Sequence, residues 1–265
     1  MIVLICSLVY AWEAQTTNSG AEQHWGVSEV DYFINLEGDY GLTPAEAEAA
    51  ITAASDVWKT DDFQFLYEGE GKLSTPGYED EEMTVYFEDS WTESPNVLAM
   101  TYNWASTSTG ELVHFDMAIN TEFADWCTNG SPDCHDLQNA IAHEFGHALG
   151  LDHSEVPEAT MAPTAPLGET QKRDLHEDDI EGMNHLTASI VSNSADNAVT
   201  EGSSEGGSSQ SGSGSGNVSQ ENNSSVNGGS FVPVESSGGC TTTGIKGLMN
   251  PFLLFLSLVF IRTKD

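Results

Sequence analysis

Three histidines and one glutamate in the segment 143–153 have the types and spacing of a catalytic metal site. His143 and His147 are four residues apart, so on a helix they lie on one face, one turn apart. Two neutral imidazoles at that spacing can bind one Zn²⁺, and His153 can supply a third ligand. Three protein ligands leave one coordination position for water, which is typical of catalytic zinc rather than structural zinc.

Glu144 directly follows the first predicted zinc ligand in the sequence. A carboxylate at that position lies beside the metal without binding it, and it can accept a proton from a zinc-bound water. The predicted chemistry is therefore metal-assisted hydrolysis, in which the activated water attacks an electrophilic centre and Glu144 acts as the general base. Substitution of Glu144 by Gln is expected to abolish hydrolysis while zinc stays bound.

These residues need a helix that ends sharply before the third ligand. The sequence predicts a helix from about Asp136 to Leu149, followed by Gly150, which suits a left-handed helix end because it has no Cβ to clash. The chain can then turn back and bring His153 to the ion. A later helix is predicted over Asp178–Leu186, where it would close the domain.

The segment before the metal motif predicts a mixture of strands and one further helix, which is an α+β pattern. Thr43 is a suitable N-cap, with Pro44 at the first helical position and Glu46 at the capping-box position, and a helix is predicted over 44–59. Strands are predicted where β-branched and aromatic residues cluster: Val30–Leu36, Phe63–Tyr67, Met83–Phe87, Ala99–Trp104 and Leu112–Asn120.

The N-terminal end has a different character. Residues 1–11 contain a short apolar run that resembles the central part of a secretory signal peptide, with Val9 and Ala11 at the positions of a small-residue cleavage site. A buried strand is the alternative interpretation of this run. Residues 12–27 are then a short N-terminal segment ahead of the folded domain.

The C-terminal third also differs from the domain in composition. Residues 189–239 are rich in Ser, Gly and Asn, which predicts a disordered linker. Residues 240–265 combine a cysteine, an apolar run and a basic end, which predicts a sorting or membrane-anchor tail that engages the membrane or a sorting machinery. A glycolipid-anchor signal and a plain weak membrane anchor are the alternatives.

Cysteine usage favours an oxidising compartment. Cys127 and Cys134 are seven residues apart in one loop, and a disulfide between them would close that loop. Cys6 and Cys240 lie in or near the apolar ends of the chain, and the spacing does not match a metal site built from two cysteine pairs.

The strong negative charge narrows the possible partners. The formal net charge is −35, and 36 of the 42 acidic residues lie within positions 1–188. Such a surface repels nucleic acid and anionic lipid, so neither is an expected partner. Three acidic clusters, Asp61-Asp62, Glu79–Glu82 and Asp178-Asp179, could hold structural Ca²⁺. A solvated acidic face is the simpler interpretation of each cluster.

The motif resembles the metzincin clan of zinc metallopeptidases and, within it, the matrixins. Ser154 follows the third histidine as in matrixins, and Met161 lies in Ala-Thr-Met-Ala-Pro, which is similar to the Met-turn of that family. Residues 175–186 are similar to its closing helix, and the Asp-Leu-Gln-Asn at 136–139 fits bacterial members. The resemblance covers about residues 28–188.

The resemblance implies a metzincin-type catalytic domain of the α+β class. It would contain a mixed twisted sheet, a long zinc-binding helix and a C-terminal helix, with catalytic Zn²⁺ held by the three histidines. It implies a zinc endopeptidase that cleaves peptide bonds of extracellular proteins. The signal-like segment and the C-terminal tail predict that the protein is secreted and retained near the cell surface, and we expect a monomer. The edge of the strand near Ala99–Trp104 would bind extended peptide by strand addition.

The chain departs from the family pattern at some positions. Ala162 stands where the Met-turn of the family has Tyr, and no cysteine lies between the predicted signal and Val30, so the cysteine-switch latency of the family is not expected. His114 and Asp116 resemble part of a site for structural zinc and calcium, but no partner ligands are evident. For His24, His135, His176 and His185 we expect structural or surface roles.

Two other functions compete with the peptidase hypothesis. One is a binding or adhesion module whose zinc is vestigial, and the other is a calcium-binding surface protein. The intact three-histidine motif and the retained Glu144 argue against the first, and the second depends on charge alone.

Overall fold

The computed structural model describes residues 11–78, 82–200 and 231–235. Residues 1–10 of the predicted signal segment and the predicted tail at 240–265 lie outside the described residues. Most of the acidic cluster at Glu79–Glu82 and the middle of the predicted linker lie outside them as well.

A mixed sheet forms one layer of the domain, with its strands in the order β3-β2-β4-β6-β5-β9 and with β1 also paired to β6. The pairs among β2, β3, β4 and β6, and the pair of β1 with β6, are parallel, whereas β5 is antiparallel to both of its neighbours. A separate two-stranded pair is formed by β7 and β8. In chain order the strands are β1 (His24–Trp25), β2 (Glu29–Asn35), β3 (Gln64–Glu70), β4 (Thr84–Glu88), β5 (Ala99–Ser106), β6 (Glu111–Asn120), β7 (Trp126–Cys127), β8 (His135–Asp136) and β9 (Phe231–Glu235).

Three α-helices and one short 3-10 helix (Gln171–Arg173) complete the described fold, and the α-helices are α1 (Pro44–Asp56), α2 (Leu137–Leu149) and α3 (Glu177–Thr200). The predicted capping box of α1 is confirmed, because the Thr43 hydroxyl accepts from the Glu46 amide and the Glu46 carboxylate accepts from the Thr43 amide. The first helix therefore begins where its sequence satisfies its free amide groups.

Helices α1 and α2 pack against each other and enclose an aromatic core with the sheet. Trp58, which follows α1, is completely buried, and its indole nitrogen donates to the carbonyl of Ala142 in α2 at 2.8 Å. Phe145 from α2 contacts Tyr32 of β2 edge-on, with ring centroids 5.2 Å apart. Helix α2, which carries the histidine motif, thus packs against α1 and against the sheet. Twelve of its thirteen residues are buried.

The predicted strands and the first two predicted helices are confirmed with small shifts of their ends, and the third helix begins as predicted but is longer. The mixed sheet confirms the α+β prediction. Strands β1, β7 and β8 have only two residues each, and no sequence period can show in so short a segment.

Two described stretches differ from the predicted linker at 189–239. Helix α3 continues to Thr200, and β9 pairs with β5. Once a helix has formed, each further residue adds one hydrogen bond at low cost, so a Ser- and Asn-containing sequence can extend it. The Phe and Val residues of β9 have high strand propensity. The strand was not predicted, because the surrounding segment is rich in Ser, Gly and Asn.

The predicted disulfide is confirmed: Cys127 and Cys134 are joined, and they link the strands β7 and β8. Among the described residues, no helix has both the length and the apolar character that a membrane crossing requires.

Candidate metal centre

The fold brings the three predicted ligands together. His143 and His147 come from adjacent turns of α2, and His153 comes from the loop after it. One ligand atom from each histidine lies within 4.8 Å of the other two, and in the described part of the chain this is the only such group of three or more His, Cys, Asp and Glu side chains. The imidazole rings are 4.7 to 5.2 Å apart between centroids.

Backbone carbonyls orient the two histidines of the helix. The Nδ1 atom of His143 lies 2.7 Å from the carbonyl oxygen of Thr160, and that of His147 lies 2.8 Å from the carbonyl oxygen of Leu151. A carbonyl only accepts, so the Nδ1 of His143 carries the proton and its Nε2 keeps its lone pair for a ligand, whereas the Nδ1 of His147 also lies 3.1 Å from the side-chain nitrogen of Gln15. The Nε2 atom of His143 is buried and makes no hydrogen bond with the protein, so a metal such as Zn²⁺ fits it.

Electrostatics also favour the neutral form of the first ligand. Burial lowers the pKa of His143 well below its ordinary value, and the neighbouring His147 and Lys172 lower it further. A neutral imidazole is the form that binds metal, so burial favours the metal-binding form of His143.

Gly150 makes the approach of His153 possible. It ends α2 with φ +113°, and a Cβ at this position would lie 2.5 Å from the carbonyl oxygen of Gln23. Only glycine satisfies both the left-handed conformation and this close contact, so the predicted helix end is confirmed.

The segment around Met161 forms a floor beneath the histidines. Met161 is buried, and its sulfur packs against Gly146 of α2. The amides of Thr160 and Met161 both donate to the carboxylate of Asp179, at 2.7 and 3.0 Å. Helix α3 therefore holds this turn against the helix that carries the ligands.

Lys172 holds the same turn from its carbonyl side, and the sequence did not indicate this role. It is 1% exposed, and its ammonium group donates to the carbonyls of Ala159, Thr160 and Ala162. The Thr160 carbonyl thus receives both Lys172 and the Nδ1 proton of His143. A lysine in a polar surface loop gives no sequence signal for burial, because its partners are backbone atoms.

The cluster Asp178-Asp179 is not a solvated acidic face, because both residues are buried, and a calcium role for it stays a prediction. Asp178 accepts from the amides of Ala11 and Trp12 and from the Ser154 hydroxyl, and Asp179 accepts three backbone amides. Both carboxylates are used within the protein. The pair Asp61-Asp62 is exposed and belongs to no metal-binding group of the described chain.

The predicted second metal site also lacks a ligand set among the described residues. His114 and Asp116 are buried and lie 3.3 Å apart between Nε2 and Oδ2. The Asp116 carboxylate accepts from the amides of Gly77 and Thr84, which ties the segment before β4 to β6.

Glu144 lies in the same turn of α2 as the first ligand and is completely buried. Its carboxylate oxygen Oε2 accepts from the hydroxyl of Thr101 in β5 at 2.8 Å. Two residues along β5, the Asn103 side chain donates to the carbonyl of His147 at 2.7 Å. Strand β5 therefore contacts α2 at the predicted general base and at the second predicted ligand.

Comparison with known families identifies this arrangement. A family model described as matrixin matches residues 24–188. The chain belongs to the matrixin family. The match begins at β1 and ends within α3, so strands β1 to β8, the three-histidine group, the Met161 turn and the first half of α3 lie within it.

Curated matrixins show the same relation. Neutrophil collagenase of Homo sapiens is 34% identical over 146 residues, which are 54% of this chain and 29% of that protein. Matrix metalloproteinase-16 of Homo sapiens is 31% identical over 177 residues, covering 62% of this chain and 27% of the relative. A shorter match of 45 residues to matrix metalloproteinase-9 of Canis lupus familiaris reaches 62% identity, over 17% of this chain and 6% of that protein.

The chain thus spans less than a third of the length of these relatives. What it shares with them is the matrixin domain, and residues 24–188 form a matrixin zinc metallopeptidase domain.

Proposed function

We propose that this protein is a zinc-dependent metalloendopeptidase that hydrolyses peptide bonds in extracellular proteins. The observation that carries the proposal is the buried group of three histidines with Glu144 beside it, in a domain of the matrixin family. In this proposal His143, His147 and His153 hold the metal. Bound zinc supplies Lewis acidity, which acidifies a water and polarises the scissile carbonyl.

Glu144 is the proposed general base. It is next to a proposed metal ligand in sequence, and its carboxylate accepts a hydrogen bond from Thr101. In the proposed reaction, this carboxylate accepts the proton of the attacking water and then donates it to the amine that leaves. The burial of Glu144 excludes bulk water from the group that transfers the proton.

Strand β5 is the proposed platform for the substrate. It is antiparallel to β6 on one side, and on its other side the described segment β9 pairs with it from Tyr102 to Ser106. That side therefore accepts an extended chain segment through backbone hydrogen bonds, which is the mode of recognition by strand addition. A protein or peptide in extended conformation is the substrate class that this edge fits.

An extracellular location is part of the proposal. The disulfide between Cys127 and Cys134 supports it, because such bonds persist in oxidising compartments. The apolar segment at 1–11 and the tail at 240–265 are proposed to direct export and to keep the protein at the cell surface, and the domain is proposed to act as a monomer.

The deciding experiment uses the full-length chain as wild type, as Glu144→Gln and as Glu155→Gln, with zinc content and casein hydrolysis measured in parallel. Glu155 is exposed and lies just after the third histidine, so its variant controls for the loss of a nearby acidic group. We expect about one zinc per chain in all three proteins. Hydrolysis should be lost only in Glu144→Gln, and chelation should remove the activity of the other two.

The other outcomes are equally informative. Zinc in all three proteins without hydrolysis in any would favour the binding module, and hydrolysis by Glu144→Gln would refute the role of the general base. A folded wild-type chain that binds no zinc would refute the whole proposal.

A further inference from the structure

Thr101 connects β5 to the Glu144 carboxylate through a hydrogen bond. It is completely buried in β5, and its hydroxyl oxygen lies 2.8 Å from Oε2 of Glu144 and 3.1 Å from the carbonyl oxygen of the same residue. Both acceptors belong to one residue of α2. The hydroxyl has one proton, so it can donate to only one of them at a time.

Chemistry favours the carboxylate as acceptor. A hydrogen bond to an ionised acceptor is roughly twice as strong as one between neutral groups. The Glu144 carbonyl lies inside α2, where the helical pattern provides it with an amide donor four residues later. The carboxylate is also at the shorter distance, so the hydroxyl proton goes to Oε2.

The register of β5 explains why this contact forms. Successive residues of a strand point to opposite faces, so Ala99, Thr101 and Asn103 share one face, and all three are buried. Thr101 bonds Glu144 and Asn103 bonds the His147 carbonyl, which lies about one turn further along α2. The strand with the proposed peptide-binding edge thus also bonds the helix with the proposed catalytic group.

We propose that Thr101 is a positioning residue for the reaction: its hydroxyl fixes the orientation of the Glu144 carboxylate, so that the other oxygen is presented for proton transfer. This inference rests on the proposed function, because it needs Glu144 as the general base. A free glutamate rotates about its terminal bond over a broad range. A carboxylate held at one oxygen loses that freedom before the substrate arrives, and such preorganisation is what proton transfer requires.

The test compares three variants of the full-length, zinc-loaded enzyme with the wild type. Thr101→Val keeps the branched shape and removes the hydroxyl, and Thr101→Ser keeps the hydroxyl and removes a methyl group. Thr187→Val is the matched control, because that buried hydroxyl donates to the Met183 carbonyl in α3 and has no described contact with Glu144. Steady-state kcat and KM on a peptide substrate, zinc content and thermal melting are measured for each.

We expect kcat of Thr101→Val to fall about 10- to 100-fold with KM unchanged, since a misplaced catalytic group can cost that much. Thr101→Ser should stay within a few-fold of wild type, and Thr187→Val should be unaffected. Zinc content should be the same in all four proteins. Crystals of the zinc-loaded wild type should show one orientation of the Glu144 carboxylate, and those of Thr101→Val more than one.

Three results would overturn the inference. One is full activity of Thr101→Val, and another is an equal loss in Thr101→Ser, which would assign the effect to packing. The third is a loss of zinc in Thr101→Val, which would assign it to the metal site. Any of these together with an inactive Glu144→Gln leaves the proposed function standing, whereas an active Glu144→Gln removes the general base and with it this inference.

Discussion

Gly146 lies in α2 between Glu144 and His147, and it shows how closely the floor of the site is packed. A Cβ at this position would collide with the sulfur of Met161 and would lie 2.7 Å from the ring of Trp58. Neither neighbour has room to move, because both are buried, and the Trp58 indole is hydrogen-bonded to the carbonyl of Ala142. The absence of a side chain at Gly146 therefore sets the distance between the histidine helix and the Met161 turn.

Substitution of Gly146 by Ala is expected to destabilise the domain, although alanine is the better helix former. Overpacking of a filled core costs about 1–3 kcal/mol, which exceeds the gain in helix propensity of about 1 kcal/mol. Because the turn that bonds His143 has to shift, zinc affinity should also fall. Urea unfolding of the zinc-free chain and competition with a chromogenic chelator measure the two effects.

Gly26→Ala is the control for this prediction. The new methyl group there would meet the end of the flexible Glu111 side chain, 2.5 Å from its Oε1, and that side chain can move aside. The control should therefore stay within about 0.5 kcal/mol of wild type, as surface substitutions do. A Gly146→Ala protein as stable as this control would show that the floor yields more easily than the contacts indicate.

At the scale of single residues, the sequence predicted the candidate site residues whose positions depend on local spacing. His143, Glu144 and His147 follow from the helical repeat, and Gly150 follows from the need for a left-handed helix end. Thr101, Asn103 and Lys172 act on the site from strands and loops distant in sequence, with Thr101 separated from Glu144 by 43 positions. Their partners are brought close only by the packing of β5 and the Met161 turn on α2.

At the scale of elements, the entry into α2 depends on a short covalent link. Strands β7 and β8 have two residues each, and the disulfide between Cys127 and Cys134 joins them directly before Asp136, the N-cap of α2. The Asp136 carboxylate accepts from the Asn139 amide and forms an ion pair with Arg173. A pair of strands too short to be stable alone thus fixes the beginning of the histidine helix.

Replacement of both Cys127 and Cys134 by Ser should lower the free energy of unfolding by about 2.5 kcal/mol, the chain-entropy value for so short a loop. The zinc site lies more than one turn further along α2, so zinc content and hydrolysis should be retained at moderate temperature. Guanidinium unfolding of the double variant measures the change. Reduced wild-type protein should lose a similar amount, and an unchanged midpoint in both would show that the link does not contribute to stability.

Elements were predictable in proportion to their length and to the regularity of their pattern. Helix α1 carries a full capping box, and β6 is a ten-residue strand, so both were found. The end of α3 and the whole of β9 were not, because they lie in a segment whose Ser, Gly and Asn content predicts a chain that cannot form a core. Strand β9 needs the backbone of β5, which a local pattern cannot reveal.

At the scale of the whole molecule, the order of the sheet decides what can reach the site. Strand β5 follows β6 in the sheet, and its outer side is taken by β9, which comes from far along the chain. The pairing extends from Ser106 to Tyr102, the residue next to Thr101. A substrate that adds to the same side of β5 must therefore compete with a segment of the same chain.

Pairing of β9 with β5 should weaken the binding of an extended peptide to the same side of β5. A tethered segment has a high effective concentration, of the order of millimolar for short flexible links, so weakening β9 should tighten binding of an extended peptide. Strand β9 lies at the edge of the sheet, where a proline is tolerated when its nitrogen faces away from the neighbouring strand. We therefore place the nitrogen of Pro233 on the side away from β5. Backbone amides alternate in direction along a strand, so those of Val232 and Val234 then face β5. Proline at both positions removes these donors. Peptide affinity should then rise several-fold. It is measured by fluorescence anisotropy in the zinc-loaded Glu144→Gln background, which prevents cleavage of the peptide. In the control, proline at Ser211 and Ser213 should leave the affinity unchanged. Equal affinity in both proteins would show that β9 leaves the substrate edge accessible.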